Sequence, residues 1–241
     1  MRGAKVYSVT FDDKILYITQ SGAGEIRAAA CTQLLISLFD VDLIVNYGVV
    51  GALTEELKVT NICLVEKVIH YDMDTSAADH CEVGRYLEYQ DIYLPTTKKY
   101  VQLVKNHYPF IRPVICASGD KFIADETKKR VLNHDFKADI CDMESAAIVL
   151  ICDQNNILNL ILKTVSDSIT GGAAEFRSSI EKAADICLEI IYVFLTIFLY
   201  LLKCPQSLIL SALRAFCFCG KPHISRSIFL YFLYQTWLKS W

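Results

Sequence analysis

Three short apolar runs in this sequence end in residues able to bind or react. Residues 43–46 lead into Gly48-Val49-Val50-Gly51, residues 114–116 into Ser118-Gly119-Asp120-Lys121-Phe122, and residues 160–165 into Ser166-Asp167-Ser168. In an open, mostly parallel sheet, ligands sit in the crevice beyond the carboxyl ends of the strands, so these junctions are where chemistry belongs. Glycine there lets the backbone approach a ligand, and Ser or Asp supplies polar atoms. A fourth segment, Asp142-Met143-Glu144-Ser145-Ala146-Ala147, adds two carboxylates. A carboxyl at such a place can donate or take a proton, or accept hydrogen bonds from hydroxyls. Taken singly, each junction is equally an ordinary turn between strand and helix. Asp142 is equally a helix N-cap, with Glu144 complementing the helix dipole.

The elements that must position these groups alternate along the chain. Val6-Tyr7-Ser8-Val9 and Ile15-Leu16-Tyr17-Ile18 flank Asp12-Asp13 and predict a β-hairpin. Residues 25–38 predict a helix, followed by a strand at 43–45 and further strands at 62–65, 114–116 and 158–165. Helical stretches at 95–106, 125–133 and 142–154 separate the later strands. The alternation predicts an α/β fold with a largely parallel sheet covered on both faces. After residue 191 the character changes, with residues 190–202 almost wholly apolar and two more apolar stretches at 208–218 and 228–238. A membrane span needs about 20 apolar residues, and the first run reaches that length only by taking in Glu189. We therefore divide the chain into a domain of residues 1–191 and a hydrophobic extension of residues 192–241. A helical extension is expected; a membrane span is not favoured, and contact of the tail with lipid or protein stays open.

Composition narrows the classes. The chain has 241 residues, a formal net charge of −3 and 53% hydrophobic residues, which suits one domain with a sizeable core. Lys and Arg are scattered, so nucleic acid is not expected as a partner. Cys31, Cys63, Cys116, Cys141 and Cys152 lie in apolar segments without a Cys-x-x-Cys pair, and read as reduced thiols of a cytoplasmic protein. Residues 1–10 carry no secretory signal pattern. Cys217 and Cys219 lack partners at ligand spacing, and there is no Gly-rich nucleotide loop, so neither metal nor cofactor is expected. His70, Asp72 and Asp74 read as a solvated loop, Tyr86, Tyr89 and Tyr93 as packing aromatics, and His107 and His134 as surface residues.

Together the segments are far more specific than any one alone. Ser21-Gly22-Ala23-Gly24, Asn46 through Leu53, Ser118-Gly119-Asp120-Lys121-Phe122-Ile123, the Asp142 to Ala147 segment and Val165-Ser166-Asp167 resemble, in order and spacing, the 5′-methylthioadenosine/S-adenosylhomocysteine nucleosidases of the purine nucleoside phosphorylase superfamily. The resemblance covers roughly residues 6–191. It implies a three-layer αβα sandwich with a mixed, largely parallel sheet, and a homodimer whose neighbouring subunit helps close each site. It also implies a small nucleoside substrate, cleaved by water at the N-glycosidic bond to adenine and a 5-substituted ribose. In that likeness Asp167 is the general acid that donates towards N7 of the purine, which requires it to hold or share a proton near neutral pH. Phe122 stacks on the purine and the backbone of Ile123 reads its edge. Glu144 grips the ribose hydroxyls, Met143 packs against the sugar, and Ser166, Val49 and Gly51 line the pocket.

The sequence also departs from the family. An opening strand bearing a water-activating glutamate is not matched, which predicts a sheet short of one strand with an exposed edge. Val49 stands where a small hydroxyl residue is expected, and Lys163 where an Arg often lies. Two rival readings follow. A phosphorylase of the same superfamily would need arginines near the glycine loops, for which Arg27 is the candidate. A catalytically impaired chain would bind nucleosides without cleaving them.

Overall fold

The computed structural model describes residues 5–11, 14–201 and 227–232. β1 (Val6–Phe11) and β2 (Lys14–Gln20) pair antiparallel as the expected hairpin. α1 (Glu25–Phe39) buries Ala28, Cys31, Thr32 and Leu35, the i, i+3, i+4, i+7 stripe of a helix lying on a sheet. The remaining strands are β3 (Val41–Ala52), β4 (Ile62–His70), β5 (Leu94–Pro95), β6 (Arg112–Ser118), β7 (Ile140–Asp142), β8 (Leu158–Asp167) and β9 (Ser227–Phe232). The remaining helices are α2 (Ser76–Asp79), α3 (Lys98–His107), α4 (Glu126–Phe136), α5 (Ser145–Gln154) and α6 (Ala173–Leu201).

The described strands form one mixed sheet in the order β1-β2-β9-β3-β7-β6-β4-β5, with β8 paired to both β3 and β4. β3, β8, β4, β6 and β7 therefore hydrogen-bond in a closed cycle, parallel between β3 and β8 and between β4, β6 and β7. β3 divides its side chains between two layers, as a strand buried on both faces must. Leu43, Val45 and Tyr47 pack with Cys187, Ile191 and Phe194 of α6, while Ile44 packs with α1 and with Ile148 and Cys152 of α5. The result is helix, sheet, helix.

Three expectations need correcting. Gly48-Val49-Val50-Gly51 is not a loop: it continues β3, because Gly48, Val49 and Val50 pair with β8 and Gly51 with β7, and only a bulge after Val50 breaks the register. The segment 142–154 is not helical from its start, since Asp142 closes β7 and the helix begins at Ser145. The expected exposed edge is absent beside β2 and β3, where β9, from the extension, pairs parallel with both. α6 likewise runs through Ile191 without a break. Among the described residues no helix is long and apolar enough to cross a membrane. Cys217 and Cys219 lie outside the described residues, whereas Cys31, Cys63, Cys116, Cys141 and Cys152 are buried free thiols.

Candidate active site

The carboxyl ends of β3, β7 and β8 and the loop after β6 converge on one cleft. All eight residues singled out from the sequence, Asp167, Glu144, Met143, Phe122, Ile123, Ser166, Val49 and Gly51, line it. About 40 Å³ is free inside, room for a few water molecules rather than a nucleoside. Phe122 and Phe176 both line it, their ring centroids 5.0 Å apart, edge to face. Phe122 is 45% exposed, so its ring is open to a ligand.

Asp167, the last residue of β8, is 2% exposed. The fully buried Lys129 of α4 places Nζ 2.5 Å from Asp167 Oδ2 and also donates to the carbonyls of Ser168 and Gly171. Ser166 Oγ lies 2.9 Å from Oδ1. Burial raises the Asp167 carboxyl above its ordinary range, and the Lys129 charge and hydrogen bond pull it back only in part. Glycine is needed opposite, because a Cβ on Gly51 would stand 3.1 Å from Asp167 Oδ2 and 3.2 Å from Cys141 Sγ. Gly51→Ala should therefore overpack this corner and cost about 1–3 kcal/mol of stability. Urea denaturation of the variant checks this, and an unchanged midpoint would mean the corner relaxes freely.

Glu144 sits just ahead of α5, 3% exposed, with Oε1 accepting from the backbone N–H of Gly24 at 2.9 Å. Gly24 has φ 101°, a left-handed conformation that disfavours side chains, and a Cβ there would come within 2.9 Å of Asp120 Oδ1. The Ser21-Gly22-Ala23-Gly24 turn thus aims an amide at the carboxylate of a residue 120 positions away. Burial, then repulsion from Asp142, pushes the Glu144 carboxyl up to about 7. Asp142 itself is held down: burial alone would raise it, but Lys163, buried and 2.8 Å away, outweighs that. Asp142 also accepts from the backbone N–H and side chain of Ser145 while pairing with a lysine, but it is not the N-cap expected of it, since that position is Glu144.

His70 and Asp72 are not the solvated loop that the sequence suggested. His70 closes β4, and its Nε2 lies 2.7 Å from Glu25 and 3.1 Å from Asp72, while Nδ1 meets the hydroxyl of Tyr86 at 2.7 Å. Burial alone would lower the His70 pKa, but Glu25 and then Asp72 raise it overall. Glu25, His70 and Asp72 have ligand atoms within 4.8 Å of one another, a metal-like spacing. The group is already closed by its own ion pairs, including Lys121 at 3.3 Å from Asp72. Asp74 is exposed and caps its own turn at Ser76, as a loop residue should. His134 is exposed beside Asp135, and Tyr89 bonds Asp153.

Sequence reasoning passed over Lys129, Glu25 and Phe176. Lys129 had a signal: Lys129, Leu132, Asn133 and Phe136 fall on one helical face, so a lysine stood among core positions. Phe176, nine positions after Asp167, lines the cleft from α6, and Glu25, at the start of α1, reaches His70 only through the fold.

A closed mixed sheet with a two-carboxyl cleft at its strand ends defines the class. The family model described as Phosphorylase superfamily matches residues 1–196. A 5′-methylthioadenosine/S-adenosylhomocysteine nucleosidase of Staphylococcus aureus (strain MRSA252) is 32% identical over 185 residues, covering 75% of this chain and 81% of that protein. The chain belongs to this nucleosidase family. Among solved structures, the Helicobacter pylori nucleosidase superposes with a TM-score of 0.75 at 23% identity, covering 81% of this chain and 85% of that one. The Streptococcus pyogenes S-adenosylhomocysteine nucleosidase, solved with 5-methylthiotubericidin, gives 0.73 at 22% over 81% and 84%. Helicobacter pylori futalosine hydrolase gives 0.73 at 24% over 78% and 82%, so the fold is shared across substrates.

Proposed function

We propose that this chain hydrolyses the N-glycosidic bond of 5′-methylthioadenosine and S-adenosylhomocysteine-type nucleosides, releasing adenine and a 5-substituted ribose. The supporting observation is that two buried carboxyls with raised proton affinity and one exposed aromatic ring line a single cleft. Asp167, whose proton affinity burial raises, gives a proton to N7 while the C1′–N9 electron pair passes into the purine. Phe122 and Ile123 hold the base, and Val49, Gly51, Ser166 and Met143 wall the cleft around the sugar. Glu144, once ionised, accepts from the ribose hydroxyls and so favours the positive charge that grows on the sugar. Water adds to C1′, and Glu144, with a value of about 7, has the proton affinity suited to take its proton near neutral pH.

Loss of base stacking is worth about 1–3 kcal/mol, so Phe122→Ala should raise KM roughly 10- to 100-fold with a smaller change in kcat. Steady-state kinetics on methylthioadenosine check this, and an unchanged KM would take Phe122 off the purine. The same reading takes the working unit as a homodimer in the cytoplasm, in keeping with seven free cysteines among the described residues. It treats residues 192–241 as an extension that lends β9 to the sheet. Arg27, whose Nη1 lies 3.0 Å from where a Gly22 Cβ would stand, keeps phosphorolysis within the test. Adenine release from methylthioadenosine should proceed equally with and without phosphate. Release that needs phosphate favours the phosphorylase, and binding without release favours the impaired chain.

A further inference from the structure

We propose that Lys129 is a positioning residue for glycosidic cleavage, holding the acid carboxyl of Asp167 by one oxygen and stabilising the carboxylate left when its proton has moved to the purine. This rests on the nucleosidase reading above, and nothing in the family resemblance assigns Lys129 a part.

The side chain is placed where a lysine is costly. It is fully buried, which removes its hydration and freezes a long flexible stem. An ammonium group has three N–H donors, and here three acceptors meet it: Asp167 Oδ2 at 2.5 Å, the Ser168 carbonyl at 2.6 Å and the Gly171 carbonyl at 3.1 Å. One cation therefore ties α4 to the end of β8 and to the turn that enters α6. That turn is fixed from its other side by Glu175, which accepts from the N–H and hydroxyl of Ser168. Asp167 Oδ2 is consequently committed, and the proton has to sit on Oδ1.

The partner of Oδ1 agrees. Ser166 Oγ lies 3.1 Å from the Val50 carbonyl and 2.9 Å from Oδ1, yet a hydroxyl has one hydrogen. When Ser166 donates to Val50, the contact with Oδ1 is completed by the proton of the carboxyl itself. In the reaction the Oδ1–H bond breaks, an N7–H bond forms, and the glycosidic pair remains with the purine. The new carboxylate faces the Lys129 ammonium, and the Ser166 hydroxyl can turn to donate to Oδ1. Burial raises the proton affinity of Asp167 and Lys129 lowers it, so the pair is set to release a proton to the purine.

Two variants test this, Lys129→Met and Lys129→Gln, the second retaining a donor for the Ser168 and Gly171 carbonyls should the first fail to fold. The Asp167 carboxyl carbon, followed by NMR in carbon-13-labelled full-length protein, should titrate about 1–3 pH units higher than in the parent. With methylthioadenosine, kcat should fall on the order of 100-fold while KM changes little. An unmoved Asp167 titration, or a loss confined to KM, overturns the assignment. Absence of adenine release by the parent chain would count against the nucleosidase reading instead, and the titration would still decide whether Lys129 governs Asp167.

Discussion

Asp167→Asn is expected to lower kcat for methylthioadenosine by about 10²- to 10⁴-fold, the usual worth of a positioned general acid, with KM nearly unchanged. The amide keeps the shape of the side chain but removes the transferable proton and the ionisable carboxyl that faces a fully buried lysine. The second loss makes the variant unusual. Lys129, fully buried, is left with the Ser168 and Gly171 carbonyls and no anionic partner, at a cost of up to about 3–5 kcal/mol of folding free energy. Adding Lys129→Met to Asp167→Asn should restore most of that stability and none of the activity. Urea denaturation and adenine release, measured on the two single variants and the double, separate the structural effect from the chemical one. A double variant no more stable than Asp167→Asn would show that the pair is not coupled.

Glu144→Gln is the second large effect. The carboxylate must be ionised to accept from the sugar, so kcat/KM of the parent should fall as pH drops below about 7, the value to which burial and Asp142 push this group. The Gln variant should lose about 10²-fold in kcat/KM at pH 8 and lose that acidic limb altogether. Stability carries the matching sign. The folded state holds this proton up to about pH 7, whereas an unfolded glutamate releases it near 4.5, so between those values the folded chain binds more protons. This one group therefore makes folding less favourable as pH rises through that window, and Glu144→Gln should flatten the trend. An acidic limb that persists in Glu144→Gln would assign it to another group.

The fold was legible where burial imposes a period. The α1 stripe of Ala28, Cys31, Thr32 and Leu35, the hairpin about residues 12–13 and the apolar run of β8 announce themselves locally. The site was legible as chain junctions, since Asp167, Glu144 and Phe122 each follow or close a strand. What local pattern could not supply were the pairings. Gly48 to Gly51 looks like a loop until β8 pairs alongside it, and three-residue β7 is too short to show a period. Residues 227–232 offered only hydrophobicity, and their place between β2 and β3 depends on contacts some 200 positions away. Lys129 and Lys163 went unremarked as charged partners for the same reason. A buried cation is recognised by its counter-ion, and Asp167 and Asp142 lie 38 and 21 positions away.

Both buried lysines face an aspartate, and the two pairs act in opposite directions on the cleft. Lys163 keeps Asp142 ionised, and that charge helps raise Glu144. Lys129 draws Asp167 down against a burial effect that raises it. The two cleft carboxyls are thereby shifted by buried lysines that do not line the cleft.

A crystal structure of the chain with a non-cleavable adenosine analogue bound tests the central claim most directly. The purine should lie between Phe122 and Phe176, moved apart from their 5.0 Å contact, with N7 within hydrogen-bond reach of Asp167 and the ribose hydroxyls on Glu144. An analogue seated elsewhere, or one whose purine meets Glu144 and whose sugar meets Asp167, would contradict it.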